Sequence, residues 1–363
     1  MTDSAVLRVG IIGYGLAGAV FHAPLIAATP GMTVAAIVTG DAERQARARR
    51  DFPAATIHST AEALLAAASQ IDLVVNAAPN RAHVALGIAA LEAGLPVVID
   101  KPLAPSSVEG ARLLDAARRT GKLLTVFQNR RWDNDFLTVR RLIDEQVLGP
   151  VVRIESRFER FRPTPKAGAW RERSDPEEAG GLLFDLGAHL IDQVRVLFGH
   201  PITVYAEADA RREGAAVDDD SFIALRFAGG QVAHLWASVI PRFPGPRLRV
   251  VGMRGVYEKH GLDPQEDALV SGMRPGDAQW GHELREHWGH VATSVGELVV
   301  DGRVETMPGS YETYYALLRD AIAHGGPPPV DPADSLAVLT IIEAARDSAR
   351  SGSVVRLDGR AAG

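Results

Sequence analysis

The sequence predicts a two-part α/β protein. A parallel sheet covered by helices comes first, and an α+β part with an open, mainly antiparallel sheet follows. Three observations carry this prediction. A glycine-rich turn, Gly13-x-Gly15-x-x-Gly18, directly follows a short apolar strand containing Val9, Ile11 and Ile12. Near-continuous apolar strands then alternate with amphipathic helices for about a hundred residues, the mark of a sheet buried on both faces. Beyond Phe127 the alternation stops, and runs appear in which polar and apolar residues take turns, as in antiparallel strands with one face on a core. The implied division is residues 1–124 and 125–363.

In the first part, strands are expected at residues 34–38, 73–76, 97–99 and 123–127, and helices at 16–28, 42–50, 61–68, 81–93 and 108–119. A strand, a G-x-G-x-x-G turn and a helix make the dinucleotide-binding, or Rossmann, arrangement. The glycines allow a tight turn, close approach of a pyrophosphate and close helix packing. The helix then aims its free amides at the phosphates. Residues 13–18, that is Gly13, Tyr14, Gly15, Leu16, Ala17 and Gly18, are therefore cofactor candidates. Ligands in such sheets sit at the carboxyl ends of the strands. That singles out residues 39–44, 77–83 and 100–102 as well.

At the end of the second strand, an acidic side chain would bind the ribose hydroxyls of NAD. Thr39 stands there, followed by Gly40, and Arg44 lies one helical turn on. A hydroxyl, a backbone amide and a guanidinium suit a phosphate. Asp41 has two readings: the ribose acid displaced by two residues, or the N-cap of the next helix. The cap reading is preferred. The third loop holds Pro79, Asn80 and His83, with helix capping as the plain alternative for Asn80. The fourth ends a buried strand in Asp100-Lys101-Pro102, which puts Lys101 where a nicotinamide and its substrate would meet.

In the second part, strands are expected at residues 151–158, 202–208, 222–227, 232–239 and 248–251, with helices at 312–323 and 332–350. The run from Ala179 to Gln193 reads AGGLLFDLGAHLIDQ, and Leu182, Leu186, Leu190, Ile191 and Val194 recur at helical spacing. Asp185 and His189 are four apart and share one helix face. Asp192 is placed to hold the ring from the other side. A carboxylate beside an imidazole raises its basicity and fixes its tautomer. The plain alternative is a salt-bridged histidine at the helix edge. Residues 281–290, GHELREHWGH, approach a zinc-helix motif. His282 and His287 are five apart rather than four, so a metal role is not expected.

The 363-residue chain carries a net charge of -6 and no cysteine. Disulfides, iron–sulfur clusters, thiolate zinc sites and cysteine nucleophiles are therefore out. A nucleic-acid binder would carry a basic surplus, so no nucleic-acid partner is expected. The N-terminal MTDSAVLRVG has no signal-peptide pattern, and no apolar run reaches membrane-spanning length. The expectation is a cytoplasmic protein without a membrane partner.

Together these pieces resemble the glucose-fructose oxidoreductase / inositol dehydrogenase / MocA (Gfo/Idh/MocA) family across essentially the whole chain. The family's hallmarks are the glycine loop, a Glu-Lys-Pro motif and a Gly-Gly-…-Asp-x-Gly-x-His helix. Here they read Gly13-x-Gly15-x-x-Gly18, Asp100-Lys101-Pro102, and Gly180-Gly181 through Asp185-x-Gly187-x-His189. Asp100 departs from the family's glutamate. The phrases FHAPLI, NRRWD, FERFRP and GLDPQED are similar to those of NADP-dependent scyllo-inositol dehydrogenases.

The resemblance implies NADP, with NAD possible, held by the glycine loop, Thr39 and Arg44. It places Pro79, Asn80, His83, Lys101 and Gln128 along nicotinamide and ribose, and has Trp170 and Arg171 reaching the cofactor. Lys101, Asp185 and His189 match the catalytic set. Arg160, Arg162 and Tyr311 are substrate candidates, although a solvated strand edge also explains the two arginines. The expected substrate is a small polyhydroxylated molecule, and the expected assembly a homodimer or homotetramer through the C-terminal sheet. A carbonyl reductase of the same family, and a cofactor-sensing regulator without turnover, are the rivals. Retention of all three catalytic residues favours an enzyme.

Overall fold

A computed structural model describes residues 6–166 and 168–357. Among these residues the chain forms two compact units. The first gathers residues 6–129, 265–280 and 310–336; the second gathers 130–166, 168–264, 281–309 and 337–357. Two segments from the C-terminal half therefore pack with the N-terminal sheet.

The first unit is built on a six-stranded parallel sheet. Its strands are β1 (Leu7–Ile12), β2 (Met32–Val38), β3 (Thr56–His58), β4 (Leu73–Asn76), β5 (Val97–Ile99) and β6 (Leu124–Val126), in the order β3-β2-β1-β4-β5-β6. The order reverses between β2 and β4 around β1, which puts the switch point at the glycine turn. Val9, Ile11, Leu73, Val74, Val75, Val97, Val98 and Ile99 are fully buried, as strands covered on both faces require. The helices Ala42–Asp51, Ala61–Ala66, His83–Glu92 and Ser107–Thr120 connect the strands. The helix expected at residues 16–28 is split. Ala17–His22 is a π-helix, and Ala23–Ala28 continues as α-helix. Pro24 lacks an N–H, so an unbroken α-ladder through it is impossible, and the re-registered turn falls just before it.

The second unit carries a nine-stranded sheet. It contains β7 (Val151–Glu159), β8 (Pro201–Asp209), β9 (Asp220–Phe227), β10 (Val232–Ser238), β11 (Leu248–Gly252), β12 (Gly255–Lys259), β13 (Gly289–Val295), β14 (Leu298–Val304) and β15 (Val355–Arg356). The order is β14-β13-β12-β11-β7-β10-β9-β8-β15, and only β7 and β10 run parallel. Alternation decides the faces. Ile154, Phe158, Ile223, Leu225, Ala233 and Leu235 are buried, while Phe222, His234 and Trp236 between them stay partly exposed. The helix Ala188–Phe198 packs on β10. No helix among the described residues is long and apolar enough to cross a membrane.

Candidate active site

In the first unit, the glycine loop shows what each glycine is for. Gly13 has φ +96°, and a Cβ there would stand 2.4 Å from the Ala77 carbonyl oxygen. A Cβ on Gly18 would stand 2.0 Å from the Gly13 oxygen. Both are forced by chain packing against chain. A Cβ on Gly15 would meet only the Arg44 guanidinium, at 3.8 Å. The loop is thus sealed on two sides and open at Gly15, and an open glycine turn is the cradle a pyrophosphate needs. The Arg44 charge stands beside that opening. The Tyr14 side chain turns inward, where its hydroxyl donates to Asp51 Oδ2 at 3.0 Å. Burial, followed by the Asp51 contact, pushes its pKa far up. Leu16 is exposed at the mouth of the loop.

Thr39 is buried at the end of β2, and its carbonyl accepts from Gln45 Nε2 at 2.8 Å. Asp41 caps the following helix, accepting from the Arg44 backbone N–H at 2.8 Å. Its carboxylate is thereby committed to the backbone, and Arg44 keeps an exposed side chain. Asn76, which sequence reasoning passed over, shapes the third loop. Its Nδ2 donates to the His83 carbonyl at 3.1 Å, and its Oδ1 accepts from Ala78 N–H. Pro79 leads into the short 3-10 turn Asn80–Ala82, with Asn80 buried.

His83 is buried too. Its Nδ1 lies 2.8 Å from the Pro102 carbonyl and its Nε2 3.0 Å from the Ala78 carbonyl. Burial, the largest influence, holds its pKa below the ordinary value against the opposing pull of Asp100 and those carbonyls. Both ring nitrogens are engaged with the chain, so His83 ties the third loop to the fourth. In that fourth loop the Lys101–Pro102 peptide is cis, and the Lys101 N–H donates to Asp100 Oδ1 at 2.9 Å. Gln128, just past β6, is buried, and its Oε1 has no hydrogen-bond partner among the described residues. An orphaned amide oxygen is expensive unless a ligand donor meets it. Glycine cradle, Arg44 and Gln128 together fit a nicotinamide dinucleotide. Tyr311 is fully buried in this unit, with its N–H donating to Gln265 Oε1 at 2.7 Å.

In the second unit, the Asp185/His189 run is a π-turn, Leu183–Gly187, followed by the α-helix Ala188–Phe198. It is buried almost all round, and Asp185 and His189 are 9% and 4% exposed. Its start depends on Gly181, at φ +99°, where a Cβ would stand 2.0 Å from Asp218 Oδ1. Asp218 fills that space and accepts from the Leu183 N–H at 2.7 Å and the Ser221 hydroxyl at 2.9 Å. Burial raises its pKa, partly offset by those hydrogen bonds and the charge of Arg346. Arg346 also donates to the Gly180 carbonyl at 3.2 Å and lies 4.3 Å above the Phe184 ring. Nothing in the local sequence marks Asp218 or Arg346 as partners of the Gly-Gly turn.

Asp185 forms an ion pair with Arg171 at 3.3 Å. Asp192 does not turn to His189. Arg131 clamps both its oxygens, at 2.7 and 2.8 Å. Gln193 donates to the Arg130 carbonyl and accepts from Arg247, while Arg247 pairs with the buried Asp135 at 3.0 Å. The Phe158 ring lies edge-on to His189 at 6.5 Å, with guanidiniums of Arg130 and Arg247 4.8 and 4.1 Å from its centroid. The helix bearing His189 is thus held by one nearly buried and one fully buried charge pair. Arg160 and Arg162 follow β7, their N–H groups on the carbonyls of Ser238 and Val239. Arg162 is exposed, and the side chain of Trp170 lies outside the described residues.

A separate hollow is lined by His260, His287, Trp288, His290 and Arg303. Its histidines pair one-to-one with Glu258, Glu286 and Asp301. Among the described residues no group of three or more His, Cys, Asp or Glu is placed to hold a metal ion.

The sequence profile of an oxidoreductase family's NAD-binding Rossmann fold matches residues 7–128, and that of its C-terminal alpha/beta domain matches residues 140–357. The chain belongs to the Gfo/Idh/MocA oxidoreductase family. It is similar to the uncharacterized oxidoreductase YdgJ of Escherichia coli strain K12, 41% identical over 351 residues, covering 96% of this chain and 98% of that one. It is similar also to scyllo-inositol 2-dehydrogenase (NADP(+)) IolW of Bacillus subtilis strain 168, 38% identical over 356 residues, covering 97% and 96%. The solved structure of yvaA from Bacillus subtilis matches with a TM-score of 0.92 at 36% identity, covering 98% of this chain and all of that one. This family member is therefore an oxidoreductase with a nicotinamide-binding domain and an inositol dehydrogenase among its relatives.

Proposed function

We propose that this protein is an NADP-dependent dehydrogenase that interconverts a secondary alcohol and a ketone on a cyclitol or sugar of the scyllo-inositol type. The observation that carries the NADP part is Arg44, poised beside the open face of Gly15 with Thr39, not an acid, at the end of β2. The substrate class is supported by full-length similarity to IolW. The bound nicotinamide supplies the hydride chemistry. Lys101 stabilises the developing alkoxide and His189 takes the hydroxyl proton. Asp185 orients His189 and meets a substrate hydroxyl, with its charge held in place by Arg171. Positioned acid–base groups contribute about a hundred- to ten-thousand-fold.

A cytoplasmic location and assembly through the open face of the nine-stranded sheet belong to the same reading. Phe222, His234 and Trp236 form an aromatic group on that face, with the Arg157 guanidinium 3.9 Å above Trp236. The decisive experiment is an absorbance assay with NADP or NADPH across inositol isomers, hexoses, their deoxy analogues and simple secondary alcohols, with and without a chelator. Polyol oxidation that collapses on deoxy analogues is expected, because unpaired polar groups in the site penalise the missing hydroxyl. Chelator should change nothing. Comparable rates on simple alcohols, or no turnover of any polyol or matching ketone, refute the assignment.

A further inference from the structure

His22 closes the π-turn after the glycine loop, and its ring is fully buried. None of the roles assigned above uses it. A buried imidazole is costly unless its nitrogens meet partners. Nδ1 meets one, the Tyr315 hydroxyl at 2.5 Å, whereas Nε2 makes no hydrogen bond among the described residues and faces Asp100 Oδ1 at ion-pair distance, 3.6 Å. The Phe127 ring packs against it, centroids 4.4 Å apart. Tyr315 is fully buried, and burial, seconded by Tyr314 and Asp100, pushes its pKa well up. Its oxygen therefore keeps the proton and can donate it to Nδ1. The opposite tautomer would turn a bare Nε2 lone pair toward the Asp100 carboxylate, which can only accept, so the ring's own proton stands on Nε2. Burial alone would raise the Asp100 pKa. The adjacent His22 N–H, with His83 and the Lys101 charge nearby, reverses that and holds it below the ordinary carboxylate value. Asp100 in turn accepts the Lys101 N–H.

We propose that His22, its tautomer fixed by Tyr315, is a positioning residue that holds Asp100 as a carboxylate beside Lys101. The proposal rests on the catalytic role of Lys101 stated above. The titratable groups facing His22 are Asp100, His83 and Tyr315, with Tyr314 edge-on to Tyr315. Tyr314 and Tyr315 are both fully buried, and the Tyr314 hydroxyl donates to Thr125, itself bonded to the Val330 carbonyl. On the Tyr314 side the chain of groups ends inside the protein, whereas Asp100 is partly exposed.

The first test needs no turnover. In protein carrying 15N-labelled histidine, the ring nitrogen shifts of His22, assigned by its loss in His22→Gln, report where the proton stands. A proton on Nε2 with Nδ1 bare is expected; a proton on Nδ1 overturns the proposal. The second test compares kinetics with NADP and scyllo-inositol. His22→Leu should lower kcat roughly ten- to a hundred-fold, the scale of one charge-assisted contact. Its NADPH dissociation constant, read by fluorescence titration, should stay near that of the unmodified protein. His22→Gln, which can donate at one end and accept at the other, should recover most of that loss. Equal losses in the Leu and Gln variants would mean that His22 only fills space, and would overturn the idea. Should the Leu variant not fold, Tyr315→Phe removes the hydroxyl alone. A displaced pH profile of kcat is then expected, and an unchanged one is refuting. Lys101→Met separates the layers. Full turnover in that variant removes the reading beneath the proposal, whereas the tautomer result stands even where scyllo-inositol is not turned over.

Discussion

Arg44→Ala is the sharpest probe of cofactor choice. The Arg44 Nη1 atom lies 3.8 Å from where a Cβ on Gly15 would stand, and its side chain is exposed on the helix Ala42–Asp51. At about 4 Å a unit charge pair is worth about 1 kcal/mol in bulk water and about 4 kcal/mol near a protein surface. Exposure places Arg44 between these limits, which agrees with the roughly 1.5–3 kcal/mol of a charge-assisted hydrogen bond. At about 1.4 kcal/mol per decade this is an affinity loss of about ten- to a hundred-fold for NADPH. NADH has no 2′-phosphate and should bind the variant almost as it binds the unmodified protein. The assay is fluorescence titration of both cofactors at low and high salt. Because the Debye length shrinks to about 3 Å at 1 M salt, the NADPH advantage of the unmodified protein should narrow as salt rises. Equal losses for the two cofactors, or a preference for NADH in the unmodified protein, would refute the reasoning. Asp41 would then have to serve the ribose while also capping its helix.

Three further outcomes follow from the geometry. Lys101→Met should nearly abolish turnover while NADPH still binds, since the glycine cradle is separate from that side chain; near-normal kcat would remove its role. His189→Ala should lower kcat and flatten the main acid–base inflection of the pH profile, and a retained inflection would assign that titration elsewhere. Asp218→Asn bears on stability. A carboxyl whose folded pKa is raised favours folding while protonated, so the unmodified protein loses stability as pH climbs from the ordinary value of 3.8 to the raised one. Melting temperatures of both proteins between pH 4 and 8 should show the unmodified chain losing ground to the Asn variant with rising pH. A flat or opposite trend refutes the burial argument.

Much of the first unit was legible because its strands are buried on both faces. Runs such as Leu73–Asn76 and Val97–Ile99 are apolar at almost every position, and their ends mark the candidate ligand loops directly. Thr56–His58 was missed since three half-exposed residues at a sheet edge carry no pattern. The β13–β14 hairpin was missed for a different reason. Leu298, Val299 and Val300 are all exposed, so β14 shows no alternation of buried and solvated positions. The helix Gln265–Ser271 hides behind turn-forming residues, and its packing with the first unit is a long-range fact with no local signature. Asp185 and His189 were singled out by spacing, and both are buried at the start of the helical run. Asp192 was misjudged as a second support for His189, because its partner Arg131 lies sixty-one residues away in sequence.

The glycines show how a motif divides between architecture and function. Gly13, Gly18 and Gly181 would each place a Cβ within 2.4 Å of an oxygen of the chain itself. At these positions glycine is demanded by the fold, whatever the protein binds. At Gly181 the oxygen belongs to Asp218, whose carboxylate accepts the free Leu183 N–H at the start of the turn that carries Asp185 and leads to His189. The Gly-Gly pair therefore acts on chemistry only through that helix. Gly15 differs, because nothing but the Arg44 guanidinium approaches its missing Cβ. A side chain at Gly15 would cost the fold little and would stand in the space open to a pyrophosphate. An alanine there should accordingly leave the melting temperature nearly unchanged while weakening NADPH binding, whereas alanine at Gly18 should unfold the loop outright. A Gly15→Ala protein that binds NADPH normally would show that the open side of the turn is not where the phosphates lie.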